Sequence, residues 1–572
     1  MTDINVSVLN GRNGFIIQGV SPEGFLGDAV SDGGDINGDG LADILIGARN
    51  VDISGDNNEG QVSVVFGSNE GFSDRLTIDE LDGSNGFTIN GVSEEQRFGT
   101  SVSFAGDVNG DEISDFVIGA NNTNDGRGDS YIIFGRSSFN ENLDLTNLDG
   151  SNGFKVDGIA EGDRLGTAVN EAGDVNNDGI DDLLITATSV NVNGNEDAGA
   201  AYVIFGSEDD FPDDLDLTTI DGTNGFILNG IGTDDFTGVS ASGGEDFNGD
   251  GIDDLLISSP RINPEGREDA GRTYLVFGRD SEFPDELNLA DLNGFNGLTI
   301  NGIVAGDVSG FSVSAVGDVN NDGIADIGIG APSANGSNEN AGQSYIVYGS
   351  ETELTENFSL DELDGNDGFA INGVEVDDQL GTSISAAGDV NNDDIDDFIV
   401  SAVGTDNEAG TSYVIFGSEG ETETLNLSDL NINRGFAING IVGGDGTTPG
   451  DRSGESVSGA GDVNGDGIDD LLVGAPQASP GVEDAGEAYI VYGRIENLGD
   501  VNNDNAYTNE DAYLISRVAV GLDTEFEAYS GIDPLLVADV NSDGVISAFD
   551  SAIVYSAAND GTSNLILSDP EA

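Results

Sequence analysis

The sequence predicts an all-β fold, a seven-bladed β-propeller, followed by a small α-helical domain of two acidic loop–helix units. Three features carry that expectation. A nine-residue acidic loop occurs seven times, about 70 residues apart, opening at Asp35, Asp107, Asp174, Asp246, Asp318, Asp389 and Asp462. Four strand-like patterns recur in fixed order around each copy. After Gly493 the repeat stops and two longer acidic loops follow. A fixed period of this size marks stacked supersecondary units. It overrides the about three or four separate domains that chain length alone would suggest.

The first pattern is a short strand of the type Gly86-Phe87-Thr88-Ile89-Asn90-Gly91-Val92. The second is an alternating strand, such as Thr100 to Gly106, that runs into the acidic loop. The third leaves the loop as an apolar run, as in Asp326 to Pro332, and the fourth is aromatic-rich, as in Ser344-Tyr345-Ile346-Val347-Tyr348-Gly349. Alternation and β-branched residues bounded by Gly, Asn and Asp read as strands. Four strands per repeat and no helical periodicity give a propeller over residues 1–494.

The two ends make a sharper expectation. The Gly-Phe-x-Ile strand stands first at Gly14-Phe15-Ile16-Ile17, before any loop, and last at Gly435-Phe436-Ala437-Ile438. The chain leaves the array after Ala488 to Gly493 without another copy. The seventh blade therefore lacks its outer strand, and Phe15 to Val20 is expected to supply it and close the ring, hiding the open edges. The alternative starts the first blade at residue 9 and closes the ring by side-chain packing alone.

Each loop places oxygen-bearing side chains at positions 1, 3, 5 and 9, a backbone carbonyl at 7 and usually Gly at 6. The first set is Asp35, Asn37, Asp39, Leu41 and Asp43; the second Asp107, Asn109, Asp111, Ile113 and Asp115; the third Asp174, Asn176, Asp178, Ile180 and Asp182. The fourth is Asp246, Asn248, Asp250, Ile252 and Asp254; the fifth Asp318, Asn320, Asp322, Ile324 and Asp326. The sixth is Asp389, Asn391, Asp393, Ile395 and Asp397; the seventh Asp462, Asn464, Asp466, Ile468 and Asp470. Ca2+ takes about six to eight oxygens and tolerates irregular geometry, whereas Mg2+ keeps several waters. One such loop reads equally well as a polar hairpin turn. Seven in register, each with three carboxylates that would repel without a cation, read as Ca2+ sites that pin hairpins and couple folding to metal. Glu112 and Asp394 replace the Gly at position 6. A Cβ at positive φ costs about 1 kcal/mol or more, so those two sites are expected to bind more weakly.

The C-terminal loops are twelve-residue EF-hand-type loops. The first offers Asp500, Asn502, Asp504, the Ala506 carbonyl, Thr508 and Asp511; the second Asp539, Asn541, Asp543, the Val545 carbonyl, Ser547 and Asp550. Apolar helical stretches follow at about Ala512 to Val520 and Ser551 to Ala557. These residues form a second domain, 498–560, with a frayed tail over 561–572.

Composition narrows function. The formal net charge is −93, from 109 acidic and 16 basic residues, and Lys155 is the one lysine. Nucleic acid and anionic membrane surfaces need clustered Lys and Arg, and both are excluded as partners. The chain has no Cys and no His, so thiol, imidazole and zinc chemistry are absent. No apolar run is long enough to span a bilayer. The N-terminus MTDINVSVLNG shows no signal-peptide pattern, which implies a removed signal or another export route.

The repeats resemble FG-GAP repeats, the units of the integrin α-subunit propeller. The name-giving pairs stand here as Phe98-Gly99 and as Gly330-Ala331-Pro332 or Gly474-Ala475-Pro476, with degenerate copies at Leu165-Gly166, Leu380-Gly381 and Ser258-Ser259-Pro260. The resemblance covers residues 9–494. It implies calcium loops on hairpins at one face, opposite the face integrins use for ligands, and an adhesive or protein-binding role. Residues 498–560 resemble a type I dockerin, which docks into cohesin domains. The pairs that read the partner in that family are here Asn509-Glu510 and Ala548-Phe549. They depart from its hydroxyl pairs, which leaves a cohesin-like partner open while calcium-dependent folding is implied.

Three other features bear on function. Arg127-Gly128-Asp129 spells an adhesion tripeptide, but Gly128 falls at the Gly that opens the aromatic strand of other repeats, so a turn is expected. Phe66, Phe134, Phe205, Phe277, Tyr348, Phe416 and Tyr492, one per blade before a Gly, are expected in the core. Paired acids such as Asp181-Asp182 and Asp469-Asp470 are read as a solvated acid followed by a loop ligand. The functional expectation is a non-catalytic, extracellular or cell-surface, calcium-loaded propeller that binds a protein ligand or cell-surface component. The alternatives are a polysaccharide-acting or polysaccharide-binding component, disfavoured by the lack of Trp and His, and a matrix protein without a specific ligand.

Overall fold

The computed structural model describes residues 3–53, 57–351, 356–420, 424–444, 450–494, 509–520, 538, 540, 546–547 and 550–555. The chain divides into two compact units: Met1–Gly388, Ile395–Asn464 and Asp469–Tyr492 make the first, and Asp389–Asp394, Gly465–Ile468 and Gly493–Ala572 the second.

The first unit holds seven sheets, each of five strands. Blade 1 shows the pattern. Its inner strand Ala29–Asp32 pairs antiparallel with Ile44–Ala48, then follow Gln61–Val65 and Gly86–Asn90 in antiparallel order. The second strands are buried along their whole length, as in Asp182–Ala187 and Asp397–Ala402. They are covered on both faces by neighbouring blades, which is why they read as apolar runs without alternation. Hydrophobic clusters accordingly mix residues of successive blades, such as Val117, Ile132 and Phe154 with Leu183, Ile185 and Tyr202.

The ring closes as expected. Gly14–Gln18 lies antiparallel to Glu487–Val491, pairing Gly14 with Val491 and Gln18 with Glu487, and so becomes the fourth strand of blade 7. The side-chain-only closure is thereby excluded.

The expectation of four strands per blade is corrected to five. A two- or three-residue strand runs parallel to each fourth strand and comes from the following blade in all but one case. Asn142–Leu143 pairs with the fourth strand of blade 1, and Asp214–Asp216 with that of blade 2. For blade 6 the N-terminus supplies it, as Ile4–Asn5. A 3-10 turn follows each, capped where Asp144, Asp216 and Asn288 accept from Thr146, Thr218 and Ala290 backbone N–H groups at 3.0, 2.9 and 2.8 Å. The signal was the recurring apolar-x-apolar triplet, as in Leu215-Asp216-Leu217 and Leu287-Asn288-Leu289, which is too short for a period-2 pattern to stand out.

The once-per-blade aromatics lie in the core. Phe66, Phe134, Phe205, Tyr348 and Phe416 meet the Phe of the adjacent fourth strand with ring centroids 5.8–6.1 Å apart. That Phe is stacked on its other face in three of these blades, for example Phe87 on Phe139 at 4.3 Å, and Phe15 of blade 7 stacks likewise on Phe72. Arg136 lies 4.5 Å from the outer face of Phe139, completing the stack.

The Arg127-Gly128-Asp129 segment is a turn. Gly128 has φ +79°, and Asp129 opens the strand Asp129–Ile133 with 2% exposure. Arg127 faces Asp157 at 3.4 Å and Asp129 at 3.6 Å. The acid of the tripeptide is therefore closed to a partner.

In the second unit, Asn509–Ala519 is an α-helix and residues 550–555 are helical. Ala512, Ile515, Ala538, Val540 and Val554 are buried together. Both helices fall where apolar stretches were read. The candidate ligands Asp500, Asn502, Asp504, Ala506, Thr508, Asp539, Asn541, Asp543 and Val545, and the side chain of Asp511, lie outside the described residues. Of the remaining two, Asp550 Oδ2 accepts both the Ser547 backbone N–H at 2.8 Å and its hydroxyl at 2.9 Å.

Candidate metal centres

Every acidic loop joins the first and second strands of its blade. Because the four main strands alternate in direction, the loops of blades 1 to 5 emerge on one face of the ring. In blade 1, Asp43 at position 9 is fully buried at the start of the second strand. Its Oδ2 accepts the Ile36 N–H at 3.0 Å and its Oδ1 the Gly67 N–H at 2.9 Å. The same Oδ1 bond joins Asp115 to Gly135, Asp182 to Gly206, Asp254 to Gly278, Asp326 to Gly349 and Asp397 to Gly417, at 2.8–3.0 Å. This explains a residue the sequence reading left aside, the Gly after each aromatic. A Cβ on Gly67 or Gly135 would stand 2.5 or 2.3 Å from the carbonyl oxygen of Ala42 or Ser114.

Positions 1 and 5 fold the loop onto itself. Asp35 accepts the N–H groups of Asp39 and Gly40 at 2.9 and 2.8 Å, and Asp39 accepts that of Leu41 at 3.1 Å. Asn37 directs its amide at both oxygens of Asp43, at 3.4 Å. Loops 2 to 5 repeat this, for instance Asp107 with Asp111 and Asp318 with Asp322, both at 2.9 Å. In the sixth, Asp389 accepts from Asp393 and Asp394 at 3.0 and 2.8 Å. In the seventh, Asn464 reaches Asp470 at 3.0 Å and Asp466 accepts from Ile468 at 3.1 Å. The structure thus brings the candidate ligands at positions 1, 3, 5 and 9 into one compact turn in each of loops 1 to 5.

Burial pushes Asp43, Asp115, Asp254 and Asp326 up to about 8 and Asp182 up to about 9, against the pull of their backbone hydrogen bonds; the carboxylates at positions 1 and 5 add to the rise. A buried acid beside two more is costly to ionise alone. Among the described residues, no three acidic groups are drawn together tightly enough to hold a metal; the carboxylates at positions 1 and 5 hold loop amides instead. The donor chemistry suits a hard cation nonetheless. All donors are oxygens, each position-1 carboxylate oxygen of loops 1, 2, 3 and 5 keeps a lone pair beyond the one loop N–H it accepts, and a divalent charge would offset the repulsion that raises position 9.

Position 6 has the expected conformation. Gly40, Gly179, Gly251, Gly323 and Gly467 have φ of +85° to +92°, and Glu112 and Asp394 are held at +67° and +66°. The two side-chain-bearing copies carry the strain that was anticipated.

The reading of position 8 is corrected. Asp181 is not a solvated acid: it is half-buried, and its Oδ2 accepts the Asp107 N–H of the preceding blade at 2.8 Å. Asp469 is likewise half-buried, close to Gly388. Loops are also tied through position 2, whose carbonyl accepts an N–H from the next blade: Ile36 from Arg136 at 3.0 Å, Val108 from Ser207 at 2.9 Å and Val175 from Arg279 at 2.9 Å.

The axis of the ring is a cavity of about 630 Å³ lined by the inner strands of all seven blades. Asp32, Glu171 and Glu245 line it. Desolvation along the channel wall and neighbouring acids push Asp32 up to about 6 and Glu245, whose side chain still meets water, up to about 7, and raise Glu171 well above the usual carboxylate range. Sequence reading missed these residues. Asp32 and Glu171 stand three residues before the loop, where other copies have Phe104, Gly243, Ala315, Ala386 and Gly459.

Comparison with known proteins bears on these repeats. The FG-GAP repeat matches residues 29–65, 171–204, 237–276, 309–347 and 453–491. The two loops left out are those carrying Glu112 and Asp394. A phosphatidylinositol-glycan-specific phospholipase D of Dictyostelium discoideum is 30% identical over 199 residues, 32% of this chain and 20% of that protein. Integrin alpha pat-2 of Caenorhabditis elegans is 31% identical over 261 residues, 42% of this chain and 18% of that protein. Integrin alpha-3 of Cricetulus griseus is 28% identical over 159 residues, 28% of this chain and 13% of that protein. The chain thus spans about a fifth or less of the length of these relatives. Repeats, blade count and relatives agree: the chain carries FG-GAP repeats in a seven-bladed propeller similar to that of integrin α subunits.

Proposed function

We propose that this chain is a calcium-stabilised, non-catalytic propeller that acts outside the cell or at its surface in adhesion or protein–protein contact. Ca2+ in the acidic loops fixes one face of the ring, and the opposite face is the contact surface. The observation that carries this reading is a ring of exposed aliphatic side chains on that opposite face, just after the fourth strands. Val20, Val92, Ile159, Val304, Val376 and Val442 are 38, 51, 48, 50, 56 and 53% exposed. Apolar side chains repeated on one rim of so acidic a protein suit a partner surface. The integrin relatives support a protein partner and a location at or beyond the cell surface. Among the described residues no helix is long and apolar enough to cross a membrane. The segment after residue 498 is proposed as a dockerin-like calcium module for attachment, supported by helices at the expected places.

The test is capture of extracellular or surface proteins on the immobilised chain. A partner should be retained in calcium, released by chelator, and weakened at least about tenfold by combining Val92→Ser, Ile159→Ser and Val304→Ser. Turnover of a polysaccharide or a phosphatidylinositol-glycan by the purified chain would contradict the proposal.

A further inference from the structure

We infer that the acids at loop position 8 couple neighbouring metal sites, and that this side-chain link is missing at two places in the ring; the inference rests on the calcium reading above. Asp181 accepts the main-chain N–H of Asp107, Asp253 that of Asp174, and Asp396 that of Asp318, each at 2.8 Å. In every case the acceptor precedes the position-9 ligand of one loop, and the donor is the position-1 ligand residue of the loop before it. A weaker tie joins Asp35 N–H to Ser114 Oγ at 3.1 Å. Metal binding in one loop fixes its position 9 and so the residue beside it. That residue then holds the first ligand residue of the preceding loop in place.

The residue before position 1 is built for the contact. Gly106, Gly173 and Gly317 have φ of +75°, +68° and +74°, and a Cβ on each would come within 2.3–2.5 Å of the incoming Asp. The acceptor is missing at two junctions; at the first the receptor differs as well, while at the second Gly461 keeps it. At the junction of blades 4 and 5, Ala325 stands at position 8 and Glu245 replaces the Gly. At the junction of blades 7 and 1, Ala42 stands there. Neither alanine can accept the bond. Loops 1 to 4 therefore form one run joined by this side-chain link, whereas between loops 5 and 4 only the position-2 tie remains, from Ser350 N–H to the Phe247 carbonyl at 3.1 Å. Asp181, Asp253 and Asp396 act as positioning residues, not ligands.

Calcium-45 equilibrium dialysis of the full chain tests this by counting sites and their affinities. Asp178→Ala, which disables loop 3, should remove one ion and weaken the sites of loops 2 and 4, each about tenfold, because coupling is reciprocal and of this usual size. Asp322→Ala, which disables loop 5 behind the Ala325 gap, should remove one ion and weaken loop 6, linked through Asp396, but not loop 4. Asp181→Ala should remove no ion but weaken one site, and Asp181→Asn, which keeps an acceptor, should recover most of that loss. Identical binding curves for Asp178→Ala and Asp322→Ala, each short by one ion only, would overturn the coupling and leave the calcium reading standing. An unchanged ion count in both would overturn the reading itself.

Discussion

Removing calcium with a chelator should lower the melting temperature of the propeller by at least about 10 °C, since one structural ion at a thousandfold excess over its Kd contributes about 4 kcal/mol and several act together. The pH dependence should reverse with the metal. Without calcium, the folded chain keeps protons on position-9 acids whose pKa burial has pushed up to about 8 or 9, whereas unfolded carboxyls titrate near about 4. The folded state then binds more protons throughout that window, so its stability is greatest at the acid end and declines as pH rises through it. In chelator the melting temperature should therefore fall from pH 5 to pH 8. With calcium bound, the ion takes the place of the protons, ligands must ionise to hold it, and the gain from calcium should grow over the same range. Calorimetry at three pH values with and without calcium checks both parts. Superimposed curves would contradict them.

Deleting residues 1–18 should abolish the monomeric, cooperatively melting propeller. The deletion takes the fourth strand from blade 7 and the fifth from blade 6. Phe15, Ile16 and Ile17 are at most 1% exposed. Their loss leaves a hydrophobic slot beside the open edge of Glu487–Val491, a template for pairing between molecules. Size-exclusion chromatography should show self-association, relieved by adding a peptide of residues 1–20. Phe15→Ala alone should cost about 3–5 kcal/mol, because Phe15 stacks on Phe72 at 4.1 Å. A truncated chain that stays monomeric and melts unchanged would refute the closure as a stabilising device.

The parts of this protein that were legible in its sequence are those where one residue type is chemically required. Asp, Asn and Gly at fixed spacing marked the loops, and the unmatched Gly14-Phe15-Ile16-Ile17 marked the closing strand. What stayed hidden depends on partners from other blades. The fifth strands are two or three residues long and pair with a strand about 60 residues away, as Asp214 does with Lys155. Asp181 looked solvated because its acceptor role needs Asp107, 74 positions earlier. Asp32, Glu171 and Glu245 meet at the axis only once the ring has closed. The adhesion tripeptide shows the converse, a motif plain in sequence whose acid the fold buries.

Anomalous diffraction from crystals grown in calcium would show directly whether each loop holds one divalent ion. A peak is expected in each loop with Gly at position 6, surrounded by oxygens of positions 1, 3, 5, 7 and 9 at about 2.3–2.6 Å, with weaker peaks in the loops of Glu112 and Asp394. Loops without peaks, their carboxylates still bonded to their own backbone amides in saturating calcium, would contradict it.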